Sequence, residues 1–178
     1  MTEVVSFDAE GFTPYADASV EIFGAAMDAP VTELQSRQAI VLRHLGRPGF
    51  TAVAALEAER LVGFGYACPG RRGQWWHDIV ATALGPEAAA QWLSSSFEIV
   101  ELHVRPEAQG SGLGRRLLTA LLAGAPGGTA VLSTGDHDSR ARRLYRSMGF
   151  VDLLTAFRFP GRAEPYCVMG RPLPLPVG

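Results

Sequence analysis

The sequence predicts a mixed α/β fold, and three observations lead there. Segments with strand-like and helix-like patterns alternate along the chain. A turn with three glycines at alternate positions joins an apolar run to a leucine-striped helix. The chain has 178 residues, of which 47% are hydrophobic and 19% charged, the length and composition of one soluble globular domain. A chain this long buries about 70% of its unfolded surface, so it needs no metal or disulfide staple. The expectation is a single domain over residues 1–178, with 172–178 as a proline-rich tail.

Taken in order, residues 3–8 form a short strand. Thr13-Pro14 opens a helix, with Thr13 as N-cap and Pro14 in the first turn. Its apolar face is Tyr15, Ile22, Phe23 and Ala26, and Asp28-Ala29-Pro30 breaks it. Thr32 and Gln35 form a capping box for a second helix. Leu34, Val41 and Leu45 share its face, and Gly46 and Pro48 end it. Residues 50–57 and 61–68 read as two strands with Glu59-Arg60 at the hairpin tip. A loop, 69–74, precedes a helical stretch, 75–92, interrupted by Gly85-Pro86. Residues 97–104 are a strand. The glycine turn follows, then a helix over 113–123 with Leu113, Leu117, Leu118, Leu121 and Leu122 as its buried stripe. Residues 129–133 are a strand and 139–148 a helix stopped by Gly149. Residues 150–159 and 166–169 are the last strands, giving the order β-αα-ββ-α-β-α-β-α-ββ.

Composition excludes several functions. The formal charge is −2, which argues against a nucleic-acid partner. All 16 basic residues are arginine, so a phosphate-binding lysine, a Schiff-base lysine and a lysine base are ruled out. Cys68 and Cys167 lie far apart and read as buried, reduced thiols, and no metal-ligand spacing is present. The N-terminus has no signal-peptide pattern and no apolar run reaches about 18 residues. The expectation is a cytoplasmic protein with no membrane partner and no bound metal.

The chemistry concentrates at Gln109-Gly110-Ser111-Gly112-Leu113-Gly114, between strand and helix. Glycines let the backbone turn tightly and approach a ligand closely. The first amides of the helix have no intrahelical partner and point from a positive helix end, which makes a cradle for a pyrophosphate. Arg115 and Arg116 in the first turn oppose the helix dipole and suit a site beside phosphates. A dinucleotide fold would need G-x-G-x-x-G and an acidic residue about 20 positions later, and this chain has neither. A phosphate-binding loop of the lysine type fails for want of lysine.

Gln109-x-x-Gly112-x-Gly114 resembles the acyl-CoA signature of the GNAT superfamily of N-acetyltransferases. Leu102-x-Val104-x-Pro106 precedes it and Leu144-Tyr145-x-x-x-Gly149-Phe150 follows it in register, so the resemblance is close over residues 97–151. It implies a mixed, mostly antiparallel central sheet, splayed at the acyl-CoA site and flanked by helices. It implies acetyl-CoA as acyl donor, with its pantetheine paired to the backbone of Leu102, His103 and Val104 and its pyrophosphate on the amides of Gly110 to Arg115. The Leu102 N–H matches the donor to the oxyanion. Tyr145 matches the tyrosine that protonates the departing thiolate. A phenol titrates near ~10 and a thiol near ~8.5, so a tyrosine is protonated at neutral pH and able to donate. Asp138 stands where many relatives have asparagine; it can cap the following helix and accept from the pantetheine, but it cannot donate.

An alkylammonium has a pKa near ~10, so the acceptor amine arrives protonated and needs a base. Glu98 ranks first for that role, Glu101 second and His103 third, with water as a further alternative. Strict alternation puts Glu98, Val100, Leu102 and Val104 on one face and Ile99, Glu101 and His103 on the other, unless a bulge disturbs it. Trp76 reads as core and Trp75 as a candidate lining of the acceptor pocket, while Arg71 and Arg72 read as a solvated loop. The resulting expectation is an acetyl-CoA-dependent N-acetyltransferase acting on an amine of a small molecule or peptide by direct attack. A non-catalytic acyl-CoA-binding domain is the alternative. Homodimers are common in the family.

Overall fold

The computed structural model of the chain describes residues 1–174. Seven strands are hydrogen-bonded in the order β1-β2-β3-β4-β5-β7-β6: β1 is Glu3–Phe7, β2 Thr51–Glu57, β3 Arg60–Pro69, β4 Ser96–Val104, β5 Thr129–Gly135, β6 Val151–Phe157 and β7 Tyr166–Pro172. The β1–β2, β2–β3, β5–β7 and β6–β7 pairs are antiparallel, and β4–β5 is parallel. The helices are α1 Ala9–Phe12, α2 Ala16–Met27, α3 Val31–Leu45, α4 Trp75–Leu84, α5 Pro86–Leu93, α6 Leu113–Leu122 and α7 Arg140–Ser147. The expected mixed, mostly antiparallel sheet flanked by helices is therefore present. The chain packs as two compact units, Met1–Cys68 with Val100–Gly124, and Pro69–Ile99 with the chain from Ala125 on.

In the first unit, the start of the helical region differs from the sequence expectation. Asp8, not Thr13, is the N-cap: its carboxylate accepts from the Gly11 N–H at 2.9 Å. Thr13 Oγ1 instead donates back to the Ala9 carbonyl, and Pro14 lies in a short 3-10 turn, Thr13–Tyr15, leading into α2. Pro14 lacks an N–H, and the tighter turn absorbs the missing bond. Asp8→Ala is expected to cost about 1 kcal/mol in urea unfolding, since it orphans a first-turn amide.

Helix α3 also starts earlier than the capping box implies. Asp28 adopts a left-handed φ of 50° and reverses the chain, and Pro30 becomes the N-cap with no side-chain bond. Thr32 lies inside the helix. Val41, Leu34 and Leu45 share its face against Ala16 and Val20 of α2, as the spacing predicts. The hairpin tip sits one residue earlier than expected, at Ala58-Glu59, whose φ values of 46° and 66° match the turn that follows the twist of paired strands.

Every leucine of the α6 stripe is buried. The helix lies close to β3 because Gly63 and Gly65 present no side chain. A Cβ there would meet Leu117 Cδ1 at 3.1 Å and Leu102 Cδ1 at 3.0 Å. A second cluster in this unit joins Phe12, Ile22, Phe50, Phe64 and Tyr66.

In the second unit, Gly85 and Pro86 divide α4 from α5 as expected. Trp76, Val80 and Leu93 pack on Val131, Val168 and Phe159. Strand β6 is shorter than the expected 150–159, and β7 runs longer, to Pro172, so Pro172 is a strand residue rather than tail. Residues 175–178 of the expected tail lie outside the described residues.

Candidate active site

The glycine turn has the conformation its composition requires. Gly110 and Gly112 hold φ of 80° and 81°, a region that favours glycine, and a Cβ at either would meet nothing within 4 Å. Gly112 is the N-cap of α6, and no side chain caps that first turn. The turn is braced from within. Ser111 Oγ donates to the Ala108 carbonyl at 2.7 Å, and Gln109 Nε2 donates to the Val104 carbonyl at 3.0 Å. Gln109 thereby ties the turn to the end of β4, the strand that carries Leu102 and His103. Arg115 is exposed at the helix start. Arg116 reaches the Thr2 carbonyl at 2.9 Å, so its guanidinium braces the start of β1.

In the second unit, β4 pairs with β5 through Ser96↔Thr129, Phe97↔Ala130 and Glu98↔Val131. Among the described residues no further β4–β5 pair follows, although β5 continues to Gly135 and pairs with β7 up to Tyr166. Glu98 is the last paired residue and is buried, 4% exposed. As the partner of Val131 it shares that residue's side of the sheet, the side that packs on Trp76 and Val80. Tyr145 is also buried, and its ring lies 5.7 Å from that of Phe150.

Glu101 and His103, the alternative bases, belong to a closed polar chain in the first unit. Arg37 donates to Glu101 Oε1 at 2.6 Å, and His103 Nε2 donates to Oε2 at 2.6 Å. Burial pushes the Glu101 carboxyl up, but the His103 hydrogen bond and the nearby charges of His103 and Arg37 outweigh it and hold it below the usual carboxylate range. The Arg37 guanidinium carbon sits 3.9 Å over the Phe23 ring, whose neighbour at 5.3 Å is the edge of His103. Close by, burial foremost and then Arg47 lower His44 to about 4. Burial, then Glu101, raises Tyr66 well above its ordinary value. A protonated Tyr66 hydroxyl and neutral His44 Nδ1 thus share a hydrogen bond of 2.9 Å. Arg37 was not singled out from the sequence. It stands three residues after Leu34 and four before Val41, so a charge within that apolar stripe was the available signal.

Asp138 does not cap α7; Ser139 does, accepting from the Arg142 N–H at 3.1 Å. The serine hydroxyl lies at the position whose backbone is extended, while Asp138 is largely exposed and pairs with Arg143 at 2.7 Å. Trp76 is core, and its Nε1 donates to Ser133 Oγ at 3.1 Å. Trp75 is 58% exposed and stacks on Phe159 at 5.6 Å. Arg71 and Arg72 are exposed on the loop before α4. Cys68 and Cys167 are buried and neither is in a disulfide. No group of side chains suited to a metal ion occurs among the described residues. No helix of the described chain is long and apolar enough to cross a membrane.

Comparison with known proteins bears on the family and the fold. The family model for the acetyltransferase (GNAT) domain matches residues 48–152, more than half of the chain. A GCN5-like protein acetyltransferase of Mycobacterium tuberculosis, Rv2170, is 35% identical over 88% of this chain and 91% of its own length. The N-alpha-acetyltransferase RimI of the same organism is 44% identical, over 30% of this chain and 34% of its own. The crystal structure of the ribosomal-protein-S18-alanine N-acetyltransferase from Escherichia coli superimposes with a TM-score of 0.65 at 16% identity, covering 97% of this chain and 94% of that one. At that identity the likeness shows the fold alone.

Proposed function

The chain belongs to the GNAT acetyltransferase family, and from that premise we propose that it moves the acetyl group of acetyl-CoA onto a primary amine of a peptide or protein, with Glu98 as base and Tyr145 as acid. Enzymes of this family are acetyltransferases that use acetyl-CoA as donor. The observation that carries the reading is the uncapped glycine turn, open at Gly110 and Gly112, at the end of the strand that holds Glu98. The class of acceptor is taken from the relatives, one a protein acetyltransferase and another an N-alpha-acetyltransferase.

In the proposed reaction the backbone of Leu102, His103 and Val104 pairs with pantetheine as an added strand would. The amides from Gly110 to Arg115 hold the pyrophosphate, and Ser111 and Gln109 keep that turn in shape. Asp138 serves as an acceptor at the mouth. Glu98 removes a proton from the ammonium, and the free amine nitrogen attacks the thioester carbonyl carbon. The Leu102 N–H donates to the oxyanion as the C–N bond forms. The C–S bond then breaks, and the Tyr145 hydroxyl gives its proton to the thiolate. As the amide forms, the second proton of the former amine nitrogen leaves through solvent and restores the Tyr145 phenol, and Glu98 gives up the proton it took, so one proton is released per turnover. Glu98 is preferred for its place on the strand that leads to the glycine turn; in Glu101 both oxygens are bonded, one to Arg37 and one to His103.

Thermal unfolding with acetyl-CoA, CoA, NAD and ATP in parallel tests the donor. A ligand at 100 times its Kd adds about 2.7 kcal/mol, roughly 5–10 °C for a chain of this size. Acetyl-CoA and CoA are expected to give that shift and NAD and ATP none. A selective NAD or ATP shift would remove the donor assignment, and the roles of Glu98 and Tyr145 with it.

A further inference from the structure

Helix α7 carries Tyr145 without the apolar stripe that ordinarily seats a helix. Its sequence is RARRLYRS, and its buried residues are Arg142 and Tyr145. A helix of eight residues is marginal by itself, so its position is set by what its buried side chains hold. Arg142 is three residues before Tyr145, which makes the two neighbours on one face.

The guanidinium of Arg142 is gripped on both sides. Nη1 donates to Asp136 Oδ1, and Nη2 donates to Asp152 Oδ2 at 3.0 Å. Asp136 directly follows the last residue of β5, and its other oxygen accepts the Ala156 N–H of β6. Asp152 belongs to β6. It also accepts from Arg146 Nη2 at 2.7 Å and from the Cys167 thiol of β7 at 3.3 Å. One side chain of the helix is thus bonded to the end of one strand and to a second, and through Asp152 to a third. A planar fork between two carboxylates fixes the rotation of the helix as well as its distance, which an apolar contact does not.

We propose that the Asp136–Arg142–Asp152 network is a positioning device for the phenol of Tyr145, acting on thiolate protonation without touching substrate. The proposal rests on the reading of Tyr145 as the acid. A displacement of about 1 Å in a reacting group can cost 10²-fold in rate, so the clamp has a function distinct from holding the fold.

The test uses the full chain with Arg142→Met, Asp152→Asn, Tyr145→Phe and the two double variants. Asp152→Asn keeps the shape of the side chain and decides the matter if Arg142→Met does not fold. Protein labelled with ¹³C at tyrosine gives a Tyr145 signal, assigned by its loss in Tyr145→Phe. That signal is expected to move or broaden in both clamp variants while those of Tyr15 and Tyr66 stay in place. With acetyl-CoA and an unstructured peptide bearing a free N-terminal alanine and one lysine, kcat is expected to fall about tenfold or more, with KM for acetyl-CoA within about twofold. In the Tyr145→Phe background the same substitutions are expected to add no further loss. A Tyr145 signal unmoved in folded variants, or kinetic losses that multiply on top of Tyr145→Phe, would overturn the positioning role. Tyr145→Phe turning over like the parent would instead remove the acid assignment, while the NMR signal still reports whether the network holds the ring.

Discussion

Glu98→Gln is expected to lower kcat at neutral pH by about 10²–10³-fold while leaving KM for acetyl-CoA within about twofold. Glutamine is nearly isosteric and stays compatible with a position that is 4% exposed, so packing beside Val131 is preserved. On the proposed mechanism, what is removed is the acceptor of the ammonium proton. Without it, attack depends on the small fraction of amine already free in solution. That fraction rises about tenfold per pH unit below the amine pKa near ~10. The variant's kcat/KM is therefore expected to climb with pH through the range where the parent is flat. A full pH–rate profile of both proteins, with urea unfolding as the control for folding, checks this. A variant within twofold of the parent at pH 7 would hand the proton transfer to water.

Arg37→Met is expected to destabilise the chain by about 3–5 kcal/mol, because it leaves the buried Glu101 carboxylate without its guanidinium. Replacing both partners, Arg37→Met with Glu101→Leu, is expected to recover part of that loss, since no charge is then stranded. The same cluster predicts an acid limb of stability. His44 has an ordinary value of 6.5 and is lowered to about 4 in the fold. The unfolded chain therefore takes up that proton first, and stability declines as pH falls from about 6.5 to about 4. Glu101 is also held below its ordinary 4.5, so its contribution is complete above that value and is lost as pH falls through the lower folded value. His44→Gln is expected to flatten the upper part of this limb and to leave the lower part. Urea unfolding from pH 8 to about pH 2.5 measures both, and an unchanged upper slope in His44→Gln would exclude His44 as its source.

The glycine turn was legible in the sequence because its constraints are local. Three alternate glycines between an apolar strand and a leucine stripe leave few backbone options, and Gly110 and Gly112 do adopt the left-handed conformation. The stripe of α6 and the Gly149 stop of α7, with φ of 84°, were readable for the same reason. Helix starts were less legible. Thr13, Thr32 and Asp138 are all residues that can cap, yet Asp8, Pro30 and Ser139 occupy the cap positions. At α1 and α7 another residue able to cap stands within a few positions, whereas α3 starts at Pro30 with no side-chain cap at all, so a capping residue alone does not fix where a helix begins.

The sequence by itself determined the fold class, the family, the glycine turn and the placement of Glu98 on the strand that leads to it. These follow from patterns within a few residues of one another. The tertiary structure alone decided which charges meet. Arg37 and Glu101 are 64 positions apart, and Arg142 finds both Asp136 and Asp152. Periodicity shows which face of an element is buried, but a buried charge takes whichever partner the packing of other elements brings within hydrogen-bond reach.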